Sequence, residues 1–220
     1  MSWTGCYVDA GGGYGMWDAD HYGVSAAGVP FDLSSTSGGR GWLGRVGVGC
    51  DYQVAPKWVI GALADYDFMN IHGTVVDPLG ATGGVQLDEK ENWAWAAGAR
   101  LGYVITPGVL TYISAGYTET HFNGGAFVSS AAGAPSAFTL AGQRFQGWFL
   151  GSGFETTLSD YVPGLPPGLF LRTEYRFSSF DSANDPVFAV APAAGGAENI
   201  HPYVQTVTTS LVWKFNVFGH

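Results

Sequence analysis

Several stretches of this chain alternate strictly between apolar and polar side chains, and the polar set carries charge. In Leu169–Phe180 one face reads Leu169, Leu171, Thr173, Tyr175, Phe177, and the other reads Phe170, Arg172, Glu174, Arg176. Over residues 42–54 the first face is Trp42, Gly44, Val46, Val48, Cys50, Tyr52, Val54, and the second is Leu43, Arg45, Gly47, Gly49, Asp51, Gln53. A period of two marks β-strands, because successive Cβ atoms point to opposite faces. In a soluble sandwich the apolar face would be the dry core and the charges would meet water. Here the charged face is also rich in glycine, and the apolar face ends in aromatics. That combination predicts a barrel with lipid outside and a small polar interior.

Alternation with its breakers predicts eight strands, over residues 3–15, 41–54, 58–71, 92–105, 109–121, 144–156, 169–180 and 203–215. Each exceeds the ~9–11 residues a tilted strand needs to cross a bilayer. All 11 prolines fall in connections or at a strand's mouth, as expected of a residue that cannot donate to a ladder. The connections at 55–57 and 106–108 are tight and that at 157–168 is moderate. Those at 16–40, 72–91, 122–143 and 181–202 are long, which predicts four irregular loops at one end and short turns at the other. An even strand number then sets both termini on the periplasmic side. The whole chain, 1–220, reads as one all-β, eight-stranded antiparallel up-and-down transmembrane barrel domain. No run of 18 apolar residues occurs, so a spanning helix is excluded while a spanning barrel is not. The opening Met1-Ser2-Trp3-Thr4 has no signal-peptide character; an outer-membrane location requires that a leader was removed, with Met1 and Ser2 an expression start.

Charge sorts by position. Asp9, Arg45, Asp51, Asp65, Asp67, Arg100, Glu155, Arg172, Glu174, Arg176 and Lys214 are assigned inward, five basic against six acidic. A near-neutral interior is what buried charges require. Almost all of the net charge of −9 falls on the long loops and strand tops, where Glu89 and Glu91 are placed with Asp18, Asp20, Asp32, Asp77, Asp88, Glu119, Asp181, Asp185 and Glu198. An acidic exterior offers nothing to nucleic acid. The aromatics Tyr52, Trp58, Tyr103, Trp213 and Phe215 lie near the short-turn ends. Tyr14, Trp42, Phe68, Trp93, Trp95, Tyr117 and Trp148 lie near the long-loop ends, all on the outward face. Two such belts match the interfacial girdles of membrane barrels; a sandwich core would instead put its aromatics mid-strand.

Cys6 and Cys50 sit at nearly the same height on adjacent antiparallel strands, both on the lipid face. Opposed Cβ atoms lie about 4.5–5.5 Å apart, so a disulfide is feasible in a narrow pair. The alternative is two reduced cysteines acting as small hydrophobes.

Catalytic signals are weak. His21, His72, His121, His201 and His220 lie in loops, at strand tops or at the terminus, and loop solvation accounts for them. Glu119 and His121 share one face near a strand top, the only arrangement resembling a rim site. No nucleophile motif or metal-ligand spacing is present. Gly11-Gly12-Gly13-Tyr14-Gly15 leads out of a strand rather than into a helix, so it lacks the N-terminal dipole a phosphate cradle needs. Neither an enzyme nor a cofactor is expected.

The segments Trp3-Thr4-Gly5-Cys6-Tyr7-Val8, Gly49-Cys50-Asp51-Tyr52-Gln53 with Trp58-Val59-Ile60-Gly61, residues 169–175 and the closing 206–215 together resemble the small outer-membrane β-barrels of alphaproteobacteria, the porin-like or opacity-like surface antigens. The resemblance covers the strands and not the long loops. It implies an outer-membrane barrel inserted by the barrel-assembly machinery, with lipids and lipopolysaccharide as its surroundings. Such barrels usually finish on an aromatic. Here Trp213-Lys214-Phe215 has the alternation, but Asn216-Val217-Phe218-Gly219-His220 follows, so either Phe215 or Phe218 serves or the tail is an addition.

Three functions remain in view. An eight-stranded barrel has an interior that side chains just fill, so the inward arginines and carboxylates point to a plugged, structural and surface-exposed barrel rather than a general porin. A ligand-binding or adhesion module acting through the glycine-, alanine- and acid-rich loops is the second. A soluble lipocalin-like carrier is the third, and it would require an apolar interior.

Overall fold

The computed structural model describes residues 2–24, 30–76, 85–129, 135–140, 142–159, 161–166, 168–189 and 196–215. Its strands are β1 (Gly5–Val24), β2 (Pro30–Ala55), β3 (Trp58–Val76), β4 (Val85–Thr106), β5 (Val109–Asn123), β6 (Gly125–Ser129), β7 (Pro135–Leu140), β8 (Gln143–Thr157), β9 (Leu169–Phe180), β10 (Ala183–Ala189) and β11 (Gly196–Phe215). Eight of them form a ring in the order β1-β2-β3-β4-β5-β8-β9-β11, closed by a β1–β11 ladder running from Cys6↔Phe215 to Val24↔Ala197. All pairings in the ring are antiparallel, between successive ring strands along the chain except for the closing β1–β11 pair, and closure leaves no open edge in lipid.

The three short strands continue members of this ring. β8 pairs with β9 as far as Gly147↔Phe180, and β7 pairs with β10 at Thr139↔Phe188, the same register carried further up. Likewise Phe122↔Gln143 between β5 and β8 passes into Gly125↔Leu140 between β6 and β7. The chain therefore builds eight up-and-down strands, three of them interrupted at one height. Pro202 pairs with Ala19 of β1 and sits between the end of the β9 ladder and the start of the β10 ladder. An interruption of this kind tolerates a residue without an N–H.

The four long connections are thus not irregular, as the sequence suggested. β1 and β2 stay paired from Gly15↔Gly41 to Tyr22↔Ser34, and β3 and β4 from Ile71↔Glu91 to Val76↔Gln86. Backbone groups must be paired somewhere, and extending the ladder does so for most of each connection. The segments 25–29, 77–84, 130–134 and 190–195, which include much of the loop sequence considered for ligands, and the tail 216–220 with Phe218 lie outside the described residues.

The two faces differ as the alternation requires. Trp42, Val46, Val48, Tyr52, Ile60, Leu101, Ile113, Leu150, Leu211 and Trp213 are exposed, while Asp51, Arg100, Glu155 and Arg176 are buried. That distribution removes the lipocalin-like alternative. Trp42 and Tyr52 are ten residues apart on β2. At ~3.3 Å per residue and a tilt of ~40°, the apolar band between them is about 25 Å tall, the height of an outer-membrane hydrocarbon layer.

Candidate functional site: the filled lumen and its rims

Three layers fill the interior. At the short-turn end Trp3, Tyr7, Val59, Val104, Leu110, Phe170 and Val212 form an apolar cluster. At the opposite end Trp17, Ala19, Leu43, Met69, Ile71, Ala94, Phe122, Phe145, Phe180, Ile200 and Val204 form a second. Between them lies a polyionic layer in two tiers.

The lower tier joins Arg100, Arg172 and Lys214 to Asp9, Asp51 and Glu155. Arg100 forks onto Asp51, with Nε 2.7 Å from Oδ1, and reaches Glu155 at 3.2 Å. Arg172 contacts Glu155 at 2.9 Å and Asp9 at 3.0 Å, and Lys214 contacts Asp51 at 2.9 Å and Glu155 at 3.0 Å. In the upper tier Arg45 forks onto Asp67 at 2.7 and 2.8 Å and touches Glu174 at 3.0 Å. Arg176 forks onto Asp65 at 2.7 Å through both terminal nitrogens and meets Glu174 at 2.8 Å. Paired, forked geometry is what lets charges exist away from water.

Aromatic rings complete the packing, and the sequence had not singled them out. The Arg100 and Arg172 guanidinium carbons stand 4.8 and 4.4 Å from the Tyr7 ring centre, and that of Arg176 stands 4.4 Å from Phe149. The Tyr112 hydroxyl donates to Glu174 at 2.8 Å. Tyr7, Tyr112 and Phe149 occupy inward positions of their alternation, so the period was the signal that could have found them. Glycines make room for the large groups: a Cβ on Gly47 would lie 2.7 Å from an Asp9 oxygen, and one on Gly49 would enter the Tyr7 ring. Two cavities within the layer measure about 10 Å³ each, room for one water apiece.

Glu89 and Glu91 correct the charge assignment: both are buried rather than displayed on the outer surface. The β4 ladder slips by one residue between Glu91 and Trp93, so Glu91 and Ala94 both turn inward. A slip of one flips every side chain beyond it.

On the outside, Cys6 and Cys50 are direct partners in the β1–β2 ladder and form a disulfide. Tyr52, Trp58, Tyr103, Trp213 and Phe215 are exposed at the short-turn end, with Trp58 against Tyr103 at 5.1 Å and Trp213 near Phe215 at 6.3 Å. At the other end Trp42 packs on Tyr14 at 5.2 Å, Trp95 on Tyr117 at 5.3 Å, and Trp148 on Phe177 at 5.9 Å. Trp93 stacks on His121, whose Nδ1 is 2.8 Å from Asn92 Oδ1. The ladder partners Arg40↔His72↔Lys90 form a row just beyond this belt. Among the described residues no three His, Cys, Asp or Glu side chains converge as a metal centre would require.

A closed antiparallel ring with an apolar exterior, aromatic ends and a polyionic lumen defines an integral outer-membrane β-barrel. The chain belongs to the outer membrane protein beta-barrel domain family, whose model matches residues 2–215. Among its relatives is the 31 kDa outer-membrane immunogenic protein of Brucella melitensis biotype 1, 26% identical over 194 residues covering 84% of this chain and 74% of the relative. Solved structures of similar fold include the outer membrane protein OprG of Pseudomonas aeruginosa, with TM-score 0.59, 12% identity and 97% of each chain covered. The outer membrane protease OmpT of Escherichia coli aligns with TM-score 0.50 and 12% identity over 96% of this chain and 97% of the other. At these identities the two structures share the fold and nothing more is carried across.

Proposed function

We propose that this protein is a non-conducting, non-enzymatic barrel that reinforces the outer membrane and presents its extended hairpins outside the cell. The observation that carries this reading is the lumen. Five basic and six acidic side chains interlock across it, sealed by apolar clusters at both ends, and each of the two cavities described within the layer has room for one water. Ion flow would require opening this layer, at a cost of several kcal/mol for each charge left unpaired. The aromatic rows sit in the two interfaces, the short turns and both termini face the periplasm, and Arg40, His72 and Lys90 lie level with lipopolysaccharide headgroups. The barrel-assembly machinery would insert the chain. Planar-bilayer recording tests the reading: the purified protein should leave the membrane silent, and stable openings of porin size would overturn it.

A second reading, adhesion through the hairpins, is favoured by how far the β1–β2 ladder continues past Trp42. Whole-cell binding to host surfaces, with and without the segment joining β1 and β2, separates the two.

A further inference from the structure

Of the 9 lysines and arginines, five are paired in the lumen and Lys57 lies in the tight turn between β2 and β3. The other three, Arg40, Lys90 and Arg144, stand on the outer wall, and none pairs with a carboxylate among the described residues. Acids are at hand, since Asp18, Asp88 and Glu119 hold outward positions on β1, β4 and β5.

These bases form an arc. Arg40 is the ladder partner of His72, and His72 of Lys90. His121 is the ladder partner of Arg144 and, on its other side, of Trp93. One basic side chain therefore stands on each of the successive ring strands β2, β3, β4, β5 and β8. Each lies two to four residues beyond the outer aromatic of its strand, respectively Trp42, Phe68, Trp93, Tyr117 and Trp148. At ~3.3 Å per residue and a tilt of ~40°, that is about 5–10 Å above the belt, the depth of lipid headgroups. The other ring strands carry no counterpart: the rows of Arg40 and Gly38 continue through Met16 and Asp18, Gln205 and Tyr203, then Phe177 and Ser179. At the β2 end of the arc a recess of about 520 Å³ opens in the wall, lined by Asp18, Arg40, His72 and Thr74 over Gly38 and Gly73.

Charges that are merely solvated need no alignment and would fall on any strand. Unpaired bases in a row at headgroup depth fit anions supplied from outside the chain, and phosphate is the group that arginine and lysine hold best there. The neighbouring acids narrow the choice. A headgroup that is phosphate alone gains nothing from Asp18, Asp88 or Glu119. A phosphorylated sugar uses both kinds of side chain, its phosphates meeting the bases and its hydroxyls donating to the carboxylates.

We propose that the arc holds a phosphorylated, acylated sugar lipid of the outer leaflet, with phosphates along Arg40, Lys90 and Arg144 and sugar hydroxyls toward the recess. Its acyl chains lie on the aromatic row beneath. The proposal rests on the orientation given above, long hairpins outside the cell.

Native mass spectrometry of the refolded full-length barrel in nonionic detergent counts the bound lipid. Bisphosphorylated lipid A should bind at one copy per barrel and raise the temperature of the heat-induced gel shift. Arg40→Gln, Lys90→Gln and Arg144→Gln should each weaken binding about fivefold at low salt, and together about a hundredfold. Dephosphorylated lipid A should bind about as weakly as the triple variant does to the intact lipid. Lys57→Gln, outside the arc, should bind as the native protein does. Should the triple variant fail to fold, the single variants and the dephosphorylated lipid still decide. Unchanged binding by the substituted arc overturns the proposal, as does phosphatidylglycerol binding as tightly as lipid A. Displacement of lipid A by equimolar inorganic phosphate overturns it in favour of a soluble ligand. A barrel that is silent in planar bilayers yet binds no lipid A overturns the arc alone, whereas one that conducts and binds lipid A overturns only the reading of the lumen.

Discussion

Arg172 on β9 reaches across the lumen to Asp9 on β1, 3.0 Å away although 163 residues separate them. This contact spans from β1 past β11 to β9, and it exists only once the ring has closed. Some pairs of the layer lie within one hairpin, as Arg45 with Asp67 and Glu155 with Arg172 do, but the links that join them across strands are completed by closure. Its disruption should act on the completed barrel.

Glu155 is the anchor of the lower tier, contacted by Arg100, Arg172 and Lys214. Glu155→Ala leaves Arg100, Arg172 and Lys214 only Asp9 and Asp51 to share in a dry interior, and should destabilise the barrel by about 3–5 kcal/mol. The readout is the temperature at which the unheated, faster- or slower-running gel form converts to the boiled one. Glu155→Gln keeps shape and hydrogen bonding and should lose less.

The Cys6–Cys50 disulfide pins the first hairpin across a sequence separation of 44. Protein prepared under oxidising conditions should show no free thiol by intact mass after alkylation, and two after reduction. Cys6→Ser with Cys50→Ser should still insert, with stability lower by about 2–4 kcal/mol.

Gly49 admits the Tyr7 ring against the barrel wall, so a side chain there collides with the stack that Arg100 and Arg172 share. Gly49→Val should abolish the heat-modifiable form and leave the protein undetectable in outer-membrane fractions. Gly44 offers a control: a Cβ there meets only Gly11 O, at 4.0 Å. Gly44→Ala should fold and migrate as the native protein does.

Orientation is open to labelling. An epitope placed in the tight turn at Pro56 and Lys57 should be invisible to antibody on intact cells and visible after permeabilisation. The same epitope in the segment joining β1 and β2 should be visible on intact cells. The reverse pattern would invert the assignment of periplasmic and external ends.

Much of the barrel was legible in the sequence, because a membrane strand has two faces in two different solvents. Lipid outside and polar lumen inside impose a period of two with strong contrast, and that contrast put Arg45, Arg100, Arg172 and Arg176 inward and Trp42, Tyr52 and Trp213 outward. Above the aromatic belt the contrast fades: residues such as Ser34, Ser35, Thr36, Ser37 and Gly38 of β2 are small and polar on both faces, so the continuing strand reads as a loop. What the tertiary structure alone decided is pairing and its exceptions. Contacts such as Arg172 with Asp9 and Arg176 with Asp65 join strands that are not hairpin neighbours and meet only across the closed ring. Glu91 points inward where the β4 ladder slips by a single residue, and the alternation, legible only from residue 92, leaves Glu91 in the connection over 72–91 and carries no sign of the skipped beat.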